Sequence, residues 1–141
     1  MINVFNIIYD KCVQAISDAN LDVDMSSIYT DTPEALPHCS IIEQDNAVYR
    51  PGISLDKREN FAQIMLQVDV YSAEVSTRRS VCENILSVID GCLEGLGFVR
   101  QTKMPMPNYD RGIYRITARY VGVVSKGITS GEDTVYLVYT P

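Results

Sequence analysis

The amino-acid sequence predicts an α+β fold: a mainly antiparallel sheet with two helices packed on one face, in the order α-β-β-β-α-β-β-β. Two periodicities predict it. Residues 3–19 and 77–97 repeat apolar side chains at three- and four-residue spacing, which gathers them on one stripe of a helix. Residues 61–72 and 113–124 alternate instead, so one strand face meets a core while the other stays partly polar. At 141 residues the chain holds one domain with a proper core and is too short for two ordinary ones.

Taken in order, the first helix sets Val4, Ile8, Cys12, Ala15, Ile16 and Ala19 on its apolar stripe, with Asn3 as N-cap. Asn20, Asp22 and Asp24 end it, because such side chains favour turns over helix interiors. Residues 25–29 form a short strand. Thr32-Pro33 and Leu36-Pro37 bound a loop, each proline restricting its neighbour. Residues 39–43, apolar and β-branched, suit a second strand. Residues 45–60 carry the Pro51-Gly52 turn signal and mixed charges, and they read as a long hairpin connection.

In the third strand, Ile64, Leu66, Val68 and Val70 share one face; Gln63, Met65, Gln67, Asp69 and Tyr71 share the other. The second helix lines up Val81, Ile85, Val88, Ile89, Cys92 and Leu96. Gly95 and Gly97 close it, since glycine accepts the left-handed conformation that stops a helix. A strand begins at residues 98–100. Residues 104–112 read as an irregular loop because Pro105 and Pro107 cannot donate to a ladder. Residues 113–124 then set Tyr114, Ile116, Ala118 and Tyr120 against Arg115, Thr117 and Arg119. Residues 127–133 form a turn, and residues 134–140 a last strand or arm.

Composition narrows the function. Twelve basic against eighteen acidic residues leave a net charge of −6, which favours solubility and argues against gripping nucleic acid. No apolar run approaches the ~20 residues of a membrane span. The N-terminus lacks a basic leader and a small-residue cleavage site, so it reads as a retained helix. Four cysteines in such a chain are expected to be reduced thiols in the cytoplasm.

The reactive residues do not assemble into a recognised site. His38 beside Cys39 is the nearest thing to a nucleophile with its base, but neighbours on a strand point to opposite faces. The favoured reading is a loop-edge histidine next to a buried cysteine. There is no Cys-x-x-Cys, and one histidine completes no zinc set, so no metal is expected. Cys82 and Cys92 lie ten residues apart on one helix, which separates them by ~15 Å and forbids a disulfide. The glycines at positions 91, 95 and 97 close a helix instead of opening one, the wrong context for a phosphate cradle. Asp69 shares a strand face with Gln67, and Arg115 and Arg119 share a parity on a strand that can lie beside it; an intrachain ion pair is favoured over a subunit contact.

Several stretches together resemble the tail terminator, or tail completion, proteins of long-tailed bacteriophages and prophage-derived particles, also called minor capsid proteins. They are the start MINVFNIIYD, PHCSIIEQDNAVYR at residues 37–50, QVDVYS at 67–72, VIDGCLEGLGFVR at 88–100 and PNYDRGIYRITARYVGVVSK at 107–126. The resemblance covers most of the chain in a consistent order. It implies a small α+β protomer closing into a hexameric ring that caps the tail tube, stops its polymerisation and offers a docking face for the head connector. The implied partners are other copies of the chain, the tail tube protein, a neck or head-connector protein, and the sheath where the tail is contractile. No catalysis, cofactor, sequence-specific nucleic-acid binding or membrane is implied. The implied location is the head-proximal end of the tail in the virion, with the host cytoplasm during assembly.

The residues expected at ring or tube contacts are Tyr49, Arg50, Lys57 and Arg58 in the hairpin segment, Asn108, Tyr109 and Arg111 in the proline-marked loop, and Tyr136 and Tyr139 in the C-terminal arm. Residues 127–141 are longer and more strand-like than the resemblance implies and suit an arm laid on a neighbour. Two rivals remain. One is a head-completion or neck ring on the portal side; the other is a small ligand-binding or thiol-enzyme domain using His38 and Cys39.

Overall fold

The computed structural model describes residues 4–29, 33–48, 61–73, 76–107, 112–126 and 135–137. The elements are α1 (Phe5–Asp18), β1 (Asp24–Ser26), β2 (His38–Val48), β3 (Phe61–Ser72), α2 (Arg78–Gly95), β4 (Val99–Met106), β5 (Tyr114–Lys126) and β6 (Val135–Leu137). This is the α+β order expected from the sequence. The strands form one sheet in the order β1-β2-β3-β5-β4, with β6 pairing to β5. All pairings are antiparallel except β1 with β2.

Both helices contribute to one core on one face of the sheet. Val4, Ile8, Cys12 and Ile16 come from the start of the chain and α1. The strands supply Cys39, Ile41, Ala62, Ile64, Leu66, Val68, Val70, Ile116, Ala118, Tyr120 and Val124. The face assigned to β3 from alternation is therefore the core face. In α2 the fully buried positions are Cys82, Ile85, Leu86, Ile89 and Leu93; Val81, Val88, Cys92 and Leu96 are only partly buried. The expected stripe thus lies to one side of the deepest line. A helix packed on both a sheet and a second helix buries an arc wider than one stripe.

Several boundaries differ from expectation. Val4 stands at the N-cap of α1 with no side-chain cap, and Asn3 lies outside the described residues. The second strand runs on to Val48, through residues expected to be loop, because β3 offers a partner along that whole length. A bulge between Glu43 and Asp45 absorbs the change in register. Likewise Met104, Pro105 and Met106 belong to β4 and pair with β5. An edge strand needs donors on one side only, so proline is tolerated there. The remainder of the expected 104–112 loop begins after β4, and residues 108–111 lie outside the described set, as do residues 49–60 of the hairpin segment.

Both helices stop in the same way. Leu21 N–H donates to Ile16 and Asn20 N–H to Ser17, with Asn20 at φ 57°. Phe98 N–H donates to Leu93 and Gly97 N–H to Glu94, with Gly97 at φ 91°. These are paired 6→1 and 5→2 bonds around a left-handed residue, which satisfy the last free carbonyls of a helix. The second of them turns Phe98 down into the core, where it is 3% exposed. The ring lies over Gly122 of β5: a Cβ there would sit 2.7 Å from Phe98 Cδ1 and 2.9 Å from Cε1.

Gly122→Ala therefore forces the packed ring to move and is expected to destabilise the fold by about 1–3 kcal/mol, read from urea unfolding midpoints. Phe98→Leu in the same chain should recover part of that loss.

Candidate functional site

The two faces of the sheet differ in chemistry. Away from the helices, strand registers set side chains in transverse rows: His38, Tyr71, Arg115, Met106; then Ser40, Asp69, Thr117, Met104; then Ile42, Gln67, Arg119, Thr102. The middle of this face is polar yet covered. Asp69 is 0% exposed and Arg115 8%.

Asp69 owes its burial to its place on β3, the strand paired along its length on both sides. Its Oδ1 accepts from Arg115 Nε at 3.1 Å, Arg115 Nη2 at 2.9 Å and the Thr117 hydroxyl. Its Oδ2 accepts from Gln67 Nε2 at 2.9 Å, and Gln67 in turn accepts from Gln44 Nε2 at 2.6 Å. Arg115 spends its remaining donor Nη1 on the Tyr29 hydroxyl at 3.3 Å and lies over the rings of Tyr29 and Tyr71, 5.3 and 5.5 Å from their centroids. Burial alone would weaken Arg115's hold on its proton, but the charge and hydrogen bonds of Asp69 outweigh it and raise the pKa. The intrachain ion pair favoured from the sequence is thus present. Arg119, the other expected partner, is exposed and faces Gln67 across the ladder.

A second polar chain ties β1 to β2. Asp24 Oδ2 meets His38 Nδ1 at 2.9 Å, and Ser26 Oγ lies 3.1 Å from His38 Nε2. The order Asp, His, Ser is that of a nucleophile with its oriented base. Its chemistry is curtailed by its surroundings. The Ser26 hydroxyl also donates to the Ile28 carbonyl at 2.9 Å, the carbonyl that Ser40 binds at 3.0 Å. The imidazole is 4% exposed and lies against Tyr71. These bonds fasten residues 26–29 over the buried ion pair. Sequence spacing gave no sign of this group, since Asp24 and His38 meet only through the parallel β1–β2 register.

Cys39 points to the opposite face from His38, is fully buried, and has its thiol pKa pushed up by burial and by Asp69. Cys92, expected from the sequence to be a small core residue, is partly buried at the edge of the core and hydrogen-bonded to Cys12 across the two helices. That bond, with Lys11 nearby, lowers the Cys92 pKa; the same bond and burial raise that of Cys12. The two thiols titrate as a pair, and the more exposed sulfur gives up its proton first. Among the described residues no group of three or more His, Cys, Asp or Glu side chains is placed to hold a metal ion. Nor, among them, is any helix long and apolar enough to cross a membrane.

Among the described residues a concave surface also runs between α2 and β4. Asp90 Oδ1 accepts from the Tyr120 hydroxyl at 2.7 Å and from Arg100 Nη1 at 3.0 Å, and Lys103 pairs with Glu83. Burial, followed by Asp90, pushes the Tyr120 pKa up. A cleft of about 290 Å³ is lined by Asp90, Glu94, Phe98, Val99, Arg100 and Tyr120, and one of about 170 Å³ adjoins it at Glu83, Ser87 and Lys103. Neither borders His38 or Cys39.

Beside this furrow the outer strand β4 is exposed at every position but Thr102, and Val99, Met104 and Met106 are 68%, 45% and 37% exposed. Of the contact residues expected from the sequence, Tyr49, Arg50, Lys57, Arg58, Asn108, Tyr109, Arg111 and Tyr139 lie outside the described residues. Tyr136 belongs to β6, which pairs at Ser125 of β5. Sequence reading took residues 104–106 for loop and so missed the apolar edge.

Asp69→Ala leaves Arg115 buried without its counter-charge and should cost about 3–5 kcal/mol in chemical denaturation, with Asp69→Ala/Arg115→Met recovering most of it. In mass-spectrometric alkylation of the folded protein, Cys92 should react first and the buried Cys12, Cys39 and Cys82 far more slowly. Because the bond from Cys12 favours the Cys92 thiolate, Cys12→Ala should raise the Cys92 pKa and slow its alkylation at neutral pH.

Compared with protein-family models, the chain matches none. A comparison with curated proteins likewise gives no match.

Proposed function

We propose that the protein is a structural subunit of a long-tailed phage or prophage-derived particle, a tail terminator. Copies of it form a ring that caps the finished tail tube, halts tube polymerisation and presents a docking face to the head connector. The sequence resemblance set out above suggests the role. The structural observation that supports it is β4, an outer strand exposed along nearly its whole length and carrying Val99, Met104 and Met106 at its surface. An uncovered edge of this kind is a template for pairing with another chain. Apolar side chains beside it are the usual mark of an interaction surface. A contact between two different surfaces of the same molecule, repeated by rotation, closes into a ring. The thiol-enzyme alternative gains little, since Cys39 is buried, faces away from His38 and borders neither cleft.

The test is assembly. Mass photometry should give a closed oligomer, alone or on addition of purified tail tubes, and electron microscopy should show tubes capped at one end and no longer elongating. A protein that stays monomeric with tubes present and leaves their length unchanged refutes the proposal. Capture by filled heads instead of tails reassigns the ring to the portal side of the neck.

A further inference from the structure

Among the described residues the sheet is open at both flanks. On one side β4 pairs only with β5. On the other, β1 covers only His38, Cys39 and Ser40 of β2, so residues 41–48 pair on one side alone, with β3.

These two open stretches complement each other. In length, β4 has eight residues, as do positions 41–48. In charge, VRQTKMPM carries Arg100 and Lys103 with no acid, whereas IIEQDNAV carries Glu43 and Asp45 with no base. In direction, β2, β3, β5 and β4 alternate, so β4 runs opposite to β2. A second copy set alongside with its helices on the same side therefore offers β2 antiparallel to β4, the more stable ladder.

The faces agree for Glu43, whereas Asp45, opposite Met65 beyond the bulge, lies on the other side of the sheet. Arg100 and Lys103 pair across β5 with Tyr120 and Ala118, and Glu43 pairs with Leu66, all on the helix-bearing side. Glu43 also has an unmet need. Burial raises its pKa, Asn46 bonds its side chain, and its Oε1 is buried with no hydrogen-bond partner among the described residues. Lys103 is held by Glu83 in a pair about one-third exposed on each side, which binds it weakly and leaves it free to share.

We propose that β4 of one protomer pairs antiparallel with residues 41–48 of the next, bringing Arg100 and Lys103 beside Glu43, so that the sheet runs on from subunit to subunit. The partner is a second copy of this chain. The interface rests on the ring reading and specifies it: two unlike edges of one sheet are joined head to tail, as cyclic closure requires.

Carbodiimide cross-linking of an equal mixture of ¹⁴N- and ¹⁵N-labelled protein tests it, because mass spectrometry then separates links between copies from links within one. Within one chain Lys103 and Glu43 lie three strand spacings apart, roughly 14 Å, beyond a zero-length link. The expected result is a mixed-isotope link from Lys103 to Glu43. In parallel, Glu43→Lys and the more exposed Lys103→Glu should each raise the concentration for half-assembly roughly tenfold or more, with unchanged circular dichroism. Oligomers that persist in both variants at the wild-type midpoint, with no such link, overturn this interface and leave the ring intact. A wild type that stays monomeric removes the ring and the interface together.

Discussion

Twelve consecutive residue pairs join β3 to β5 without a bulge, from Phe61 opposite Ser125 to Ser72 opposite Tyr114, and the rest of the molecule depends on that register. Side chains alternate across a strand, so a slip of one residue would turn the aliphatic row of β3 outward and drive Asp69 into the helix-facing core. Hydrophobic burial on one face and the Asp69–Arg115 pair on the other therefore specify the same alignment independently. An ion pair taken out of water contributes little net stability, yet breaking one half of it is costly. That asymmetry suits a register lock: the correct pairing is tolerated and the wrong one is penalised.

The polar groups that look most like chemistry are consumed in holding the fold. His38 joins β1 to β2, Ser26 and Ser40 converge on the Ile28 carbonyl, and Tyr29 closes over Arg115. Each bond satisfies a group that the covered face of the sheet would otherwise strand. The thiols divide in the same way. Burial keeps Cys39 and Cys82 protonated, the latter with a pKa pushed up to about 12, and only the Cys12–Cys92 contact leaves an acidic sulfur near the surface.

Much of the fold was legible in the sequence because local periodicity and global packing agree in it. The alternation of β3 gave its bounds and its core face, and Gly97 marked the end of α2. Parity alone narrowed the partner of Asp69 to Arg115 or Arg119, and the structure selects Arg115. What escaped was decided by partners rather than by propensity. Residues 44–48 and 104–106 look like loop, and they are strand because β3 and β5 run beside them. Asp24 meets His38, and Cys12 meets Cys92, through contacts between elements far apart in the chain, which no spacing rule encodes. The residues marked from the sequence as contacts fell in loop-like segments, whereas Val99, Met104 and Met106, exposed and apolar, lie on a regular strand.

The strand order carries a consequence for biosynthesis. β5 follows β4 in the chain, but in the sheet it lies between β3 and β4. Until β5 has left the ribosome, β4 has nothing to pair with, and β3 lacks one of its two neighbours. The outer flank that would bind another subunit in the proposed ring therefore forms only after β5 has been made. A nascent chain cannot present half of a finished edge, and long-range pairing of this kind is the slow part of folding. In the assembly proposed above, pairing through β4 is thus gated by synthesis: no copy can offer that edge to a neighbour before its own β5 is made.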